Sequence, residues 1–185
     1  KNVRSRLMGI PTLISTTTAS SVTNVTITSG IDSTYDEYMF VFTDISHASA
    51  GSALTFQVNA DGASGYDETV TTTHFEADHL EDDSRARVIY EAGSDLAQST
   101  NPVILAQDSD DATASSFAGI LHIFSPSNTT YVTHFYSRMS GRYNALAATD
   151  ENTAGYFNLT AAIDEIKFFS SSGNFSGVIQ MYGIA

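Results

Sequence analysis

The feature that most constrains the fold is a two-residue alternation of apolar and polar side chains within short segments. Segment 54–60, with the sequence LTFQVNA, alternates large apolar residues with Thr, Gln and Asn. Successive side chains of a β-strand point to opposite faces, so this pattern predicts a strand with one face on a core. The opposite face is predicted to meet water, and it carries Thr55, Gln57 and Asn59.

About a dozen segments of this kind recur at the spacing expected of a β-sandwich, separated by turns rich in Gly, Asn, Asp and Ser. Segments 38–42 and 120–124 are apolar on nearly both faces, so we expect them to be central strands. The full set of predicted strands is 12–17, 22–28, 38–45, 54–60, 69–75, 87–91, 102–106, 118–124, 131–139, 156–160, 163–170 and 178–182.

Helical patterns are almost absent. No stretch keeps apolar residues at a three-to-four-residue spacing behind a capping residue, and only 76–85 and 161–165 fit a turn or short helix. Segment 76–87, acidic and weakly apolar, is predicted to be an exposed loop. Because no helices separate the strands, we predict an all-β antiparallel sandwich rather than a parallel sheet, with a jelly roll as the leading topology.

Length and charge predict one domain and disfavour two classes of partner. With 185 residues and 42% apolar composition, one core is expected: a domain over 15–185 that follows a basic N-terminal arm, 1–14. The net charge of −13 repels nucleic acid and anionic lipid. The arm holds Lys1, Arg4 and Arg6, three of the eight cations, and fits either a docking arm or a solvated terminus. No apolar run approaches ~20 residues, so neither a membrane span nor a signal peptide is predicted.

Side chains that could carry chemistry do not form a known catalytic motif. The chain has no Cys, no Gly-x-Ser-x-Gly elbow and no phosphate or dinucleotide loop. The acidic pairs at 36–37, 67–68, 150–151 and 164–165 are each adjacent on a strand, so they point to opposite faces and are predicted to be solvated charges. We therefore predict no enzymatic activity, no catalytic residue and no cofactor.

Two segments partly fit the pattern of a metal site. Segment 74–79, HFEADH, groups His74 and His79 with two acids, yet lacks the His-Glu-x-x-His spacing. Segment 108–111, DSDD, concentrates three carboxylates that calcium would neutralise, but neither it nor 59–62 has the EF-hand pattern. His122 and His134 fall in predicted strands, where a hydrogen-bonded histidine is the simpler interpretation. We therefore assign no metal ligand, and calcium stays an alternative.

Three stretches resemble virion proteins of tailed phages, notably those of marine and cyanobacterial hosts. Segment 31–42, IDSTYDEYMFVF, is similar to such proteins, as is the hairpin pattern N-x-D-G at 59–62 followed by Tyr66. Segment 173–184, GNFSGVIQMYGI, resembles their closing strand. The likeness runs from Val22 to the C-terminus and is weakest over 75–111. These are turn and core patterns, so they transfer no functional residue.

The resemblance implies a β-sandwich component of a virion. The leading expectation is a capsid decoration or cement subunit that stabilises the shell by protein–protein contacts with the major capsid protein or other virion proteins. Such proteins are commonly homo-oligomers, and a trimer is expected. The alternative is a tail-fibre or tail-associated module that recognises host surface glycans through exposed aromatic residues such as Tyr66, Tyr131 and Tyr143.

Overall fold

The computed structural model describes residues 9–109, 115–143 and 146–185, the side chains of Asp108 and Ser109 excepted. Of the described residues, 62% are in strands and none is in a helix, so no described segment is a helix that could cross a membrane. The strands are β1 (Thr12–Val22), β2 (Asn24–Ile27), β3 (Glu37–His47), β4 (Ser52–Ala60), β5 (Val70–Leu80), β6 (Ala86–Tyr90), β7 (Val103–Ser109), β8 (Phe117–Phe124), β9 (Thr133–Tyr143), β10 (Ala147–Phe157), β11 (Ile163–Ser170) and β12 (Phe175–Ile184).

These strands form two antiparallel sheets, which confirms the predicted all-β sandwich. The larger sheet has eight strands in the order β1-β12-β3-β8-β9-β10-β5-β6, and the smaller has four in the order β7-β4-β11-β2. A single bridge between Ser109 and Tyr143 joins them. Both segments predicted to be central, in β3 and β8, lie between two paired neighbours in the larger sheet.

An aromatic cluster joins the two sheets. Phe168 of β11 makes edge-on contacts with Phe40 and Phe42 of β3, with ring centroids 5.3 and 5.2 Å apart. Phe56 of β4 does the same with Phe135 of β9, at 5.2 Å. All five rings are buried, and these residues stand at every second position of their strands, as a sandwich core requires.

The prediction of an exposed loop at 76–87 is wrong. Strand β5 continues to Leu80 and β6 begins at Ala86, so only a short turn remains between them. Because residues 76–80 are in β5, the short helix suggested for 76–85 is also wrong. The short helix suggested for 161–165 is wrong as well, because β11 begins at Ile163. Acidic residues misled the prediction: Glu76 and Asp78 are buried against arginines rather than solvated.

Two side chains of β4 predicted to face water are buried. Thr55 donates its hydroxyl hydrogen to the carbonyl of Phe169 at 2.9 Å. Asn59 donates from Nδ2 to Glu165 at 2.9 Å and accepts the backbone N–H of Tyr66 at 2.7 Å. These polar groups are tolerated inside because each finds a partner. Gln57 is half-buried. Segment 54–60 is therefore a strand as predicted, but the face predicted to meet water is largely buried.

We expect Phe168→Ala to destabilise the domain by about 3–5 kcal/mol, because it removes the ring that contacts both sheets and leaves a cavity. Chemical denaturation followed by circular dichroism measures this loss. Tyr131→Ala is the control: Tyr131 is 71% exposed, so its truncation should change the free energy of unfolding by less than about 0.5 kcal/mol. Equal losses in the two variants would contradict the assignment of Phe168 to the core.

Candidate functional site

The inner face of β5 and β10 carries a buried polar cluster, whose place follows from the strand period. Even-numbered residues of β5 and odd-numbered residues of β10 point inward, where β7 and the segment before it cover them. Arginines from the β5–β6 turn and from β6 reach the same space. The cluster consists of His74, Glu76, Asp78, Arg85, Arg87, Gln107, Glu151 and Thr153.

Paired charges hold one end of the buried polar cluster. Arg85 donates two hydrogen bonds to Asp78, each of 3.0 Å, and Arg87 donates a third at 2.7 Å. Burial alone would raise the pKa of Asp78, but these hydrogen bonds outweigh it and hold the pKa below its usual value. For Glu76 burial prevails over its contacts with Gln107 and Arg87, so its pKa is raised.

At the other end His74 is held by a chain of hydrogen bonds. The Thr153 hydroxyl donates to the carbonyl of Ile104 at 2.9 Å, which leaves its oxygen to accept from Nδ1 of His74, also at 2.9 Å. Nε2 of His74 lies 3.6 Å from Oε2 of Glu151. Burial lowers the pKa of His74. His74 and Glu151 are both fully buried, so the arrangement cannot reach a substrate and serves to attach β7 to the larger sheet.

The outer face of the larger sheet, which points away from the smaller sheet, is a different kind of surface. Five of the large apolar side chains that are exposed in the structure lie on it: Leu13, Phe75, Val88, Tyr90 and Tyr136. One pair of charges on this face is neutralised, since Arg138 donates to both carboxylate oxygens of Asp150 at 2.8 and 2.7 Å. The outer face therefore combines exposed apolar side chains with a neutralised ion pair.

Aromatic rings stack at the centre of the outer face. The ring centroids of His122 and Tyr136 are 4.7 Å apart, with an angle of 18° between the ring planes. The ring centroids of Phe124 and Tyr136 are 5.8 Å apart. Glu37 of β3 contacts Nδ1 of His122. These residues share a face because β3, β8 and β9 pair in register. His122 is thus hydrogen-bonded within a strand, as its sequence context predicted.

A cleft of about 570 Å³ opens where this aromatic stack ends. Phe124, Tyr131 and His134 form its aromatic wall, and Asn128, Thr130 and Thr160 add amide and hydroxyl groups. The loop 128–131, which lines the cleft, is held in shape by its own hydrogen bonds: Oδ1 of Asn128 accepts the N–H groups of Thr130 and Tyr131 at 2.7 and 3.0 Å. None of the described residues that line the cleft is Asp, Glu, Lys or Arg, so it suits a neutral ligand with an apolar face and hydroxyl groups.

The three tyrosines named as glycan-binding candidates lie in different settings. Tyr131 lines the cleft. Tyr66 is engaged within the fold: its hydroxyl donates to Glu165 at 2.6 Å and its ring lies 4.7 Å from the Lys167 ammonium, while burial and Glu165 raise its pKa to about 12. Tyr143 is half-buried beside the bridge between the sheets. The structure therefore does not bring them together.

The residues weighed as metal ligands are also separated. His74 is buried whereas the side chain of His79 is 58% exposed and contacts Asp83, because an odd spacing puts them on opposite faces of β5. The side chains of 108–111 lie outside the described residues, so the calcium alternative there is untested. Within the described ranges, no three His, Asp or Glu side chains are grouped closely enough to hold a metal ion.

The acidic pair 150–151 lies within β10 and its side chains point in opposite directions, as predicted, but one of the two is not solvated. Asp150 faces outward to Arg138, while Glu151 is fully buried and accepts the N–H of Gln107 at 2.9 Å. The pattern that would have revealed the buried polar cluster is the run Val70, Thr72, His74, Glu76 and Asp78, whose members share one face of a strand.

No family model, curated protein or solved structure matches the chain.

Acidification should destabilise the protein through His47, whose ring is buried between Phe117 and Phe175 at 6.4 Å from each. Neither ring nitrogen has a hydrogen-bond partner among the described residues, and burial lowers the pKa of His47 to about 4. From pH 6.5 down to about 4 the unfolded chain binds a proton that the native protein does not. Stability is therefore lost as pH falls, by about 3 kcal/mol from this group.

Urea unfolding at about pH 7 and about pH 4.5 measures this loss. His47→Leu removes the titrating ring, so the difference in unfolding free energy between the two pH values should shrink relative to wild type. His134→Leu, at an exposed position, is the control and should keep the wild-type difference. An unchanged pH dependence in His47→Leu would show that His47 does not contribute to acid sensitivity.

Proposed function

We propose that the protein is a structural component of a tailed-phage virion, a capsid decoration subunit that stabilises the shell through protein–protein contacts. The observation that carries the proposal is the outer face, which gathers five exposed large apolar side chains on one sheet. Exposed apolar surface of this kind is typical of interaction sites. The sequence motifs at 31–42, 59–62 and 173–184 supply the link to phage virions.

Charge supports an assembly role for this face. A net charge of −13 opposes the approach of other acidic proteins, and this repulsion is least where charges are paired. On the outer face Arg138 is paired with Asp150, and Glu37 contacts a ring nitrogen of His122. A partner subunit could therefore cover Arg138 and Asp150 without leaving either charge unpaired.

The order of strand pairing supports a jelly roll as the topology of this component. Without the inserted strands β5, β6, β9 and β10, eight strands remain, and they pair in a nested order: β1 with β12, β2 with β11, β3 with β8 and β4 with β7. A long antiparallel ribbon rolled into two sheets has this nesting. We propose that the four inserted strands extend one sheet of that roll.

Deleting residues 1–11 tests the arm as a docking element. The deletion ends before β1 begins at Thr12 and removes a single described backbone hydrogen bond, from Gly9 to Ala185 at 3.4 Å, so the domain should stay folded. We expect the truncated chain to be lost from particles, because the arm's cations no longer bind an acidic neighbour. Quantitative mass spectrometry of purified virions measures incorporation.

A full-length variant with Lys1, Arg4 and Arg6 replaced by Ser separates charge from length and should also lose incorporation. Normal incorporation of both variants would overturn the role of the arm. Absence of the wild-type chain from virions would overturn the virion proposal itself. A copy number in the hundreds per particle supports the capsid location, whereas a few copies support the tail.

A second candidate function, recognition of a neutral host glycan by a tail-associated module, is favoured by the cleft at Tyr131. We expect Tyr131→Ala to weaken binding to a glycan found on an array by about tenfold, because it removes the exposed ring of the cleft. Tyr90→Ala is the matched control, since Tyr90 is an exposed tyrosine outside the cleft. Absence of array binding, or equal effects of the two substitutions, would contradict this function.

A further inference from the structure

Strand β6 is a free edge of the larger sheet with unusual features. Among the residues that the structure describes, it pairs with β5 on one side only, and four of its five residues are exposed. Val88 is 73% exposed and Tyr90 55%. Natural edge strands are usually protected by Lys, Pro or bulges. Strand β6 contains neither Lys nor Pro, and its register with β5 runs without a bulge from Tyr90 to Ala86.

The other exposed edges are less suited to pairing. At the opposite end of the larger sheet, β1 has register shifts at Leu13–Ser15 and at Ala19–Val22. In the smaller sheet β2 has only four residues. A bulge bends a strand and disrupts the row of backbone groups, and a short strand offers few of them. Among the described residues, β6 is thus the edge most open to another strand.

The free backbone groups of β6 can be assigned from its ladder with β5. Glu91 donates its N–H to His74, and Leu80 donates to Arg85. Antiparallel pairs alternate between hydrogen-bonded and non-hydrogen-bonded positions. The N–H and C=O groups of residues 85, 87, 89 and 91 therefore point to β5, and those of Ala86, Val88 and Tyr90 point to the open side.

These free groups are self-complementary. A two-fold axis at Val88 sets Val88 opposite Val88 of a second copy, and Ala86 opposite Tyr90. Each N–H on the open side then meets a C=O of the other copy. The same register sets Arg85 opposite Glu91, so opposite charges face each other twice across the axis. Arg85 is accessible for this contact, with its side chain 35% exposed.

The side chains of the outer face agree with this register. Val88 and Tyr90 stand beside Ala77 and Phe75 of β5, so the open edge is apolar on that face. Tyr90 is held in place by a hydrogen bond from its hydroxyl to Asp95 at 2.5 Å. Two copies joined at β6 would cover Val88 with its own counterpart and make one apolar outer face from two.

We propose that two copies of this chain associate by antiparallel pairing of β6 with β6 about a two-fold axis at Val88. The proposal stands independently of the virion function. It differs from the trimer expected from the resemblance, and the two can be distinguished by mass.

Sedimentation velocity of the full chain over a concentration series tests the dimer at about 150 mM salt, where the Debye length is ~8 Å and long-range repulsion between acidic copies is screened. We expect a dimer that dissociates on dilution. Val88→Pro should weaken dimerisation at least about tenfold, because proline removes an N–H on the open side and leaves the ladder with β5 intact. Val88→Thr is the control and should keep the dimer.

Should Val88→Pro fail to give the wild-type circular dichroism spectrum, Val88→Lys provides a second test, since it adds like charges at the axis without changing the backbone. A wild type that stays monomeric throughout, a trimer as the smallest oligomer, or unchanged association of both variants would each overturn the proposal.

Chemical cross-linking tests the register separately. The chain contains no Cys, so Val88→Cys introduces a unique thiol. In the proposed register two such residues face each other with Cα atoms ~5.5 Å apart. A short fluorogenic thiol cross-linker, dibromobimane, should therefore link Val88→Cys into covalent dimers. Tyr131→Cys, at an equally exposed position, should remain monomeric. Equal yields from the two variants would contradict the register.

Discussion

The contact on which the rest of the fold depends is the one that Phe168 and Phe56 make between the sheets. A sheet with one apolar face is stable only when that face is covered, and here two strands of the smaller sheet supply the rings that cover the larger one. Phe168 contacts β3 and Phe56 contacts β9, so the two rings reach strands on both sides of β8. The strands from β3 to β9 of the larger sheet therefore pack on the rings of the smaller sheet.

The width of the larger sheet explains why polar residues are buried elsewhere. Eight strands cannot all pack on a sheet of four, so the inner face of β5 and β10 is covered instead by β7 and the irregular segment before it. Irregular chain, and the edge of β7 that faces away from β4, bring backbone N–H and C=O groups that need partners. The side chains of Thr72, Glu151 and Thr153 provide them, accepting from Leu96 and Gln107 and donating to Ile104. Acidic side chains are therefore buried here because the smaller sheet does not cover this part of the larger sheet.

This difference between apolar and polar burial also limits what the sequence could predict. All twelve predicted segments overlap a strand, because Val, Ile, Phe and Tyr alternate wherever a strand packs on the apolar core. Strand β10 was predicted only at its end, 156–160, since its earlier inward residues are Ala147, Thr149, Glu151 and Thr153. These residues keep the two-residue period of a strand, but polar side chains at every second position do not indicate which face of the strand is buried. The pairing of Glu76 and Asp78 with arginines depends on β6 and could not be predicted locally.

The candidate surfaces were harder to predict for a related physical reason. Tyr131 was among the aromatic residues predicted to be exposed, but the outer face is made of residues from seven strands, and only the sheet order brings them together. The same order determines which edges stay open. On a chain with a net charge of −13, paired charges and apolar side chains collect on the outer face, and the acids of the interior are held by Arg85 and Arg87. Few cations therefore remain to balance the acidic surface, and contact with other molecules is least unfavourable through the apolar outer face and its β6 edge.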